Sequence, residues 1–275
     1  MADISASDVK KLRDITGAGM MDCKKALAEA EGDFDQATDI IRKKGQAVAN
    51  KRAGREATEG VVLAKTTGDS TKGAIIVLNS ETDFVAKNDS FIALAKSILD
   101  LALERDPANL DELRELEMEG TKVSEHIMQQ IGIIGEKIDV SFYEKIEAPQ
   151  VTAYIHPGNR LATLVGLNKQ VDVQIGKDVC MQVAAMNPVA VDKGDIPQTV
   201  IDKEIEIGKE QARLEGKPEA ILEKIALGKL NKFYKESTLL NQDFTKDSKK
   251  TVSDYLKEVD KDLTVTGFVR YSLSN

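Results

Sequence analysis

Apolar positions recur every three to four residues through the first stretch of the chain, then give way to short runs with strand character. Residues 1–45 predict three short helices. Ser5 or Ser7 can cap the first, which turns Val9, Leu12 and Ile15 inward and breaks at Gly17. Asp22 is expected to cap the second, with Ala26, Leu27 and Ala30 on one face and a stop at Gly32. The third runs over 34–44, points Ala37, Ile40 and Ile41 inward, and ends at Gly45. Together they make a small bundle. Residues 46–57 are small and charged, which suits a linker or a loosely attached helix.

From Glu59 the period changes. Strands at 61–65 and 74–78, joined by a turn around 67–72, predict a hairpin, followed by an amphipathic helix over 89–103. A helical stretch over 110–119 is expected to continue through 123–131, and 137–143 returns to strand character. The unit then recurs, with strands at 151–155 and 161–167 around a His-Pro-Gly-Asn turn and a helix starting at 179. The second strands of the two hairpins end alike, Ile-Ile-Val-Leu-Asn at 75–79 and Leu-Val-Gly-Leu-Asn at 164–168. Helices over 197–214 and 219–234, joined by Glu-Gly-Lys-Pro, predict an antiparallel helical hairpin. A helix near 252–259 and a strand over 264–272 finish the chain. The fold class expected is α+β. A three-helix module at 1–45 and a basic linker at 46–57 precede two related subdomains of small antiparallel sheets covered by helices, at 58–144 and 145–275. The second carries the projecting hairpin at 197–235.

Composition narrows the function classes. A net charge of −8 disfavours duplex nucleic acid, whose affinity rests on neutralising phosphates. Aromatic content of 4% without Trp leaves no stacking platform for single strands. Arg42, Lys43, Lys44, Lys51, Arg52 and Arg55 form a basic stretch that reads as a solvated helix end and linker. No apolar run is long enough to span a bilayer, and Met-Ala-Asp-Ile-Ser does not begin a secretory signal, so a cytoplasmic protein is expected. Two cysteines, Cys23 and Cys180, fit a reducing compartment.

Candidate chemistry is sparse. His126 and His156 are the only histidines, and no motif links them to Cys23, which reads as a buried structural thiol rather than the nucleophile of a thiol enzyme. Zinc-ligand spacings and a phosphate-binding loop are missing, and Gly-Ala-Gly at 17–19 joins two helices rather than a strand and a helix. No catalytic residue, metal or cofactor is therefore expected. One feature points to binding instead, and two further motifs remain to be weighed against plainer readings. Met20 and Met21 directly follow the Gly-Ala-Gly turn, where a soluble domain has little use for two polarizable side chains unless they dock on another protein. Glu-Thr-Asp-Phe-Val-Ala-Lys-Asn at 81–88 presents Phe84 beside Asp83, either as a wedge for a partner's groove or as a cap on the local core. His156 stands at a hairpin tip, a position that is commonly plain surface.

Leu-Arg-Asp-Ile-Thr-Gly-Ala-Gly-Met-Met-Asp-Cys-Lys-Lys-Ala-Leu at 12–27 and the 81–88 segment together resemble the two signatures of the bacterial translation elongation factor Ts family. Ile-Gly-Glu-Lys-Ile at 134–138, the His-Pro-Gly-Asn-Arg turn and Val-Thr-Gly-Phe at 265–268 occur in that family's order, so the likeness runs from residue 4 to about 270.

The resemblance implies a ubiquitin-associated-like N-terminal module and a guanine nucleotide exchange factor for the GTPase elongation factor Tu. It implies that Leu12, Thr16, Gly17, Met20, Met21, Ile134, Gly135 and His156 contact elongation factor Tu, in its GDP-bound and nucleotide-free forms. Thr82, Asp83, Phe84 and Val85 take the role of dislodging Mg²⁺ from the partner. No direct contact with nucleotide, nucleic acid or membrane is implied. Longer family members continue into a C-terminal helix that touches the partner; with the last strand near Tyr271, affinity here is expected to depend more on the N-terminal module. The competing class is a ubiquitin-associated-type adaptor without exchange activity, which would need neither the Asp-Phe loop nor the duplicated core.

Overall fold

A computed structural model describes residues 4–274. The fold is α+β. α1 (Ala6–Thr16) starts at Ser5, whose side chain accepts from the Asp8 N–H while Asp8 reaches back to the Ser5 N–H, a reciprocal cap. It stops at Gly17, which takes the left-handed conformation (φ 67°) that a side chain resists. α2 (Met20–Glu29) is capped by Gly19 with no side-chain bond. Asp22, expected at the cap, is the helix's third residue and pairs with Lys44, its charge complementing the positive end of the helix dipole. Val9, Leu12, Ala18, Cys23, Ala26, Leu27, Ala30 and Ala37 form the core of this bundle. Ile15, expected inside, is 61% exposed.

α3 (Phe34–Arg52) runs straight through Gly45, where a helix end was expected, and takes residues 46–52 with it. Glycine inside a helix costs about 1 kcal/mol relative to alanine. Gly45 is buried and faces the backbone of Gly132, yet a Cβ there would make only an ordinary contact at 3.5 Å, so the close approach demands glycine at 132 rather than at 45.

β1 (Glu59–Thr66) and β2 (Lys72–Ser80) form the expected hairpin, followed by the single turn α4 (Asp83–Ala86) and by α5 (Asp89–Arg105), which buries Phe91, Ala95, Ile98, Leu99 and Ala102. The helix expected through 110–131 is two helices. α6 (Leu110–Glu115) is separated from α7 (Val123–Ile134) by a tight hairpin of β3 (Glu117–Met118) and β4 (Thr121–Lys122). Positive φ angles at Glu119 and Gly120 make the turn that helical periodicity conceals. β5 (Asp139–Glu147) completes a sheet of order β1-β2-β5.

The second sheet repeats this plan. β6 (Gln150–Ile155) and β7 (Leu161–Leu167) pair antiparallel, α8 (Val173–Met186) follows, and β10 (Val265–Ser272) returns beside β7 to give the order β10-β7-β6. In each sheet the middle strand is the second of a hairpin and its far neighbour arrives after the helices. α8 begins six residues before the expected start at 179 and lies close on β6, since a Cβ at Gly176 would fall 2.1 Å from the Thr152 hydroxyl. α9 (Gln198–Leu214) and α10 (Glu219–Ser237) form the helical hairpin, their axes brought together where Gly208 meets Ala226. β8 (Asp243–Phe244), β9 (Asp247–Thr251) and α11 (Val252–Val259) cover the core built on Val165, Leu167, Val179, Val183, Leu239 and Leu256.

The chain falls into two compact units. The first holds the residues up to Leu63 with Ile76–Glu144 and the chain from Leu273; the second holds Ala64–Ile75 and Lys145–Ser272. Among the described residues no helix is long and apolar enough to cross a membrane.

Candidate functional site

Eleven of the twelve expected site residues lie in the first unit, and α7 organises them. At one side stands the α1–α2 turn. Leu12 is fully buried and acts on the turn from beneath, and its carbonyl accepts from the Thr16 hydroxyl at 2.8 Å. Thr16 in turn accepts from the Ala18 N–H, so the hydroxyl ties both sides of Gly17. A side chain at Gly17 would lie 3.2 Å from Ile133 Cδ1, which places this turn against the end of α7. Met20 and Met21, at the start of α2, are 44% and 64% exposed. Ile15 is exposed as well, and none of the three belongs to the bundle's core. A cleft of about 580 Å³ is lined by Ile15, Thr16, Asp22, Ile41, Met128 and Ile133 among others.

Ile134 is the last residue of α7 and is half-buried, and Gly135 closes the helix in the left-handed conformation (φ 78°), its N–H donating to the Ile131 carbonyl. That turn aims the next residue, Glu136, at the β2–α4 loop. Glu136 accepts twice from Thr82, from its hydroxyl at 2.8 Å and its N–H at 3.1 Å. The converse contact lies alongside, with Glu81 accepting from the Lys137 N–H at 2.7 Å. Arg52, at the end of α3, donates to both Glu81 oxygens at 3.1 and 2.9 Å, and the Lys137 ammonium donates to the Ala53 and Arg55 carbonyls.

On this frame sits α4, directly after β2. Thr82 caps it by accepting from the Val85 N–H. Asp83 is its first residue and accepts from Lys87 at 2.6 Å; that hydrogen bond, with the ammonium charge, holds the carboxyl below the usual carboxylate range. Val85 is half-buried and Ala86 buried, while Phe84 is 83% exposed. Of the two readings open from sequence, the core cap is excluded, since Phe84 covers no core. A large aromatic ring held in water on a fixed single turn can fill an apolar groove elsewhere, and it carries no acid–base chemistry.

His156 lies in the second unit, exposed at the tip of the β6–β7 hairpin, with Nδ1 2.9 Å from the Tyr154 hydroxyl and the rings edge to face. The thiols are both buried. Burial pushes Cys180 up to about 12, and its S–H points to the Thr152 carbonyl at 3.2 Å, while Cys23 is fully enclosed in the bundle core.

Sequence reasoning passed over Arg52, Glu81 and Glu136. Glu81 and Glu136 belong to the quoted segments, yet nothing within either one reports that Thr82 and Glu136, 54 positions apart, are hydrogen-bonded.

A family model described as Elongation factor TS matches residues 81–275. Elongation factor Ts of Christiangramia forsetii is 52% identical over 99% of this chain and 100% of its own. The same-named protein of Amoebophilus asiaticus is 53% identical over 97% of this chain and 98% of its own, and that of Porphyromonas gingivalis 49% identical over 98% of each. With most of the chain matched by that family and its relatives aligned from end to end, this protein belongs to the bacterial elongation factor Ts family and is a translation elongation factor.

Proposed function

We propose that this chain is a guanine nucleotide exchange factor. It binds the GTPase elongation factor Tu in its GDP form, displaces Mg²⁺ and promotes GDP release and GTP rebinding, in the cytoplasm and without covalent chemistry of its own. The observation that carries the reading is Phe84, an aromatic ring 83% exposed on a short helix fixed from below.

GDP in such a GTPase is held by a phosphate-cradling loop and by Mg²⁺ bridging phosphate oxygens. A factor need not touch the nucleotide to loosen it. Met20 and Met21, with the Thr16–Gly17 turn behind them, bury on the partner and supply affinity. Ile134, Gly135 and His156 take up further contacts. Phe84 then enters between partner elements and shifts those that position the metal, while Thr82 and Val85 set its base and Asp83 competes for polar groups nearby. Asp83 is paired to Lys87 in the free chain, so it exchanges that partner for a new one or carries Lys87 with it. Once the ion is lost the phosphate charge is uncompensated and GDP leaves. Linkage makes the effect mutual, so GDP weakens the factor's hold as much as the factor weakens GDP's. An adaptor that only bound a partner would have no use for the exposed ring of Phe84.

The test is stopped-flow release of a fluorescent GDP from elongation factor Tu, with and without this protein, across free Mg²⁺ concentrations. Strong acceleration at ordinary Mg²⁺ that shrinks on chelation is expected. Unchanged release at every Mg²⁺ concentration overturns the reading and leaves the adaptor.

A further inference from the structure

The loop that carries Phe84 is held by a reciprocal pair of contacts. Each of two segments uses a glutamate to accept the backbone N–H of the other: Glu136 takes Thr82, and Glu81 takes Lys137. Glu136 also accepts the Thr82 hydroxyl, while that hydroxyl oxygen accepts the Val85 N–H at the first turn of α4. The Ser80 hydroxyl donates to the Thr82 carbonyl at 2.9 Å, so the N–H, hydroxyl and carbonyl of Thr82 are all occupied two residues before Phe84. Glu81 is in turn gripped by Arg52, with only 13% of its side chain exposed.

A four-residue helix does not hold itself, because a single turn fixes several dihedrals for very few hydrogen bonds. What gives Phe84 a defined direction is therefore the clamp beneath it. Nor is Phe84 steadied by packing, being exposed. Ordering the loop in advance removes that entropic cost from the step in which the ring enters a partner.

We infer that Glu136 is a positioning residue, which through its double hydrogen bond to Thr82 holds the α4 turn in the pose from which Phe84 inserts. The inference rests on the exchange reading above. It assigns Glu136 to the insertion step and not to the first docking, which belongs to the α1–α2 turn. Glu81 and Arg52 form the second point of the same clamp and connect it to the end of α3.

The experiment measures fluorescent GDP release at increasing factor concentration for the wild-type chain, Glu136→Ala, Phe84→Ala and the double variant, with thermal melts of each. Glu136→Ala is expected to lower the maximal release rate about tenfold, because the loop must then be ordered during insertion, and to leave the half-saturating concentration within about twofold. In the double variant the loss should not exceed that of Phe84→Ala alone, because the clamp acts through the ring. Glu136→Gln keeps the reach and offers one acceptor and one donor to Thr82, so it should restore most of the rate. Glu136→Asp keeps the charge but is one methylene short, and should stay slow. Should Glu136→Ala fail to fold, the Gln and Asp variants decide the matter alone. An unaltered maximal rate in Glu136→Ala, a full additive loss in the double variant, or Asp outperforming Gln overturns the inference while Phe84→Ala still slows exchange. A wild-type chain that does not accelerate release overturns the exchange reading and this inference with it.

Discussion

Gly132 and Gly45 meet backbone to backbone, and the contact is not symmetric. A Cβ on Gly132 would stand 2.5 Å from the Gly45 Cα, whereas one on Gly45 would stand 3.5 Å from the Gly132 Cα. Gly132→Ala forces α3 and α7 apart at a point where no flexible side chain can yield. It should destabilise the chain by about 1–3 kcal/mol, the cost of overpacking. Gly45→Ala makes only an ordinary contact and gains up to about 1 kcal/mol of helix propensity. Urea unfolding of the two variants checks the opposite signs.

Met20→Asp leaves the bundle intact, since the side chain is outside its core, but places a charge where the proposed function has the chain dock. Burying a Met side chain contributes about 1.5–3 kcal/mol, so affinity for nucleotide-free elongation factor Tu should fall about tenfold or more. Calorimetric titration reads the change. Retained affinity would mean that the turn faces away from the partner.

Acid should weaken the second unit through Asp178. Burial alone raises this carboxyl, but hydrogen bonds from Lys246, Gln174 and Tyr255 outweigh it and hold the group below its ordinary value of 3.8. A lowered native pKa contributes stability that is complete above the unfolded value and is lost as pH falls through the native one. Asp178→Asn should therefore cost about 2 kcal/mol at neutral pH and flatten the acid limb of the stability profile. A variant that matches the wild-type acid limb in urea melts at pH 2–7 would remove Asp178 from that account (a pH range of about this width spans the carboxylate titration).

Neither thiol should react in the native state. Cys23 is fully buried, and Cys180 is both buried and pushed up to about 12. A thiolate-directed reagent is expected to label neither until denaturant is added, and exchange activity should survive the treatment. Rapid native labelling at Cys23 with loss of activity would revive the thiol-enzyme reading.

Much of the fold was legible because local chemistry decides it. A serine cap at the start of α1, settled at Ser5, the Gly17 stop and the hairpin turns each act within a few residues, and the structure keeps them. Besides the Asp22 cap and the late start given to α8, three larger expectations failed. Gly45 reads as a helix end, yet the helix passes through it and packs it against Gly132, 87 positions away. Ile15 falls on the helical repeat of Val9 and Leu12, yet it is 61% exposed and lies outside the bundle's core. The stretch 110–131 has helical periodicity throughout, yet left-handed residues at 119 and 120 fold it into a hairpin.

The candidate site divides in the same way. Residue identities and order alone marked the family segments, the exposed methionines and the loop bearing Phe84, because short motifs of distinctive composition are local. Only the tertiary structure decided that Phe84 stands in water, that Glu136 and Glu81 clamp its loop, and that the α1–α2 turn rests against the end of α7. Those relationships join residues tens of positions apart. Exposure and long-range hydrogen bonds are properties of how elements pack, and no periodicity within a single segment encodes them.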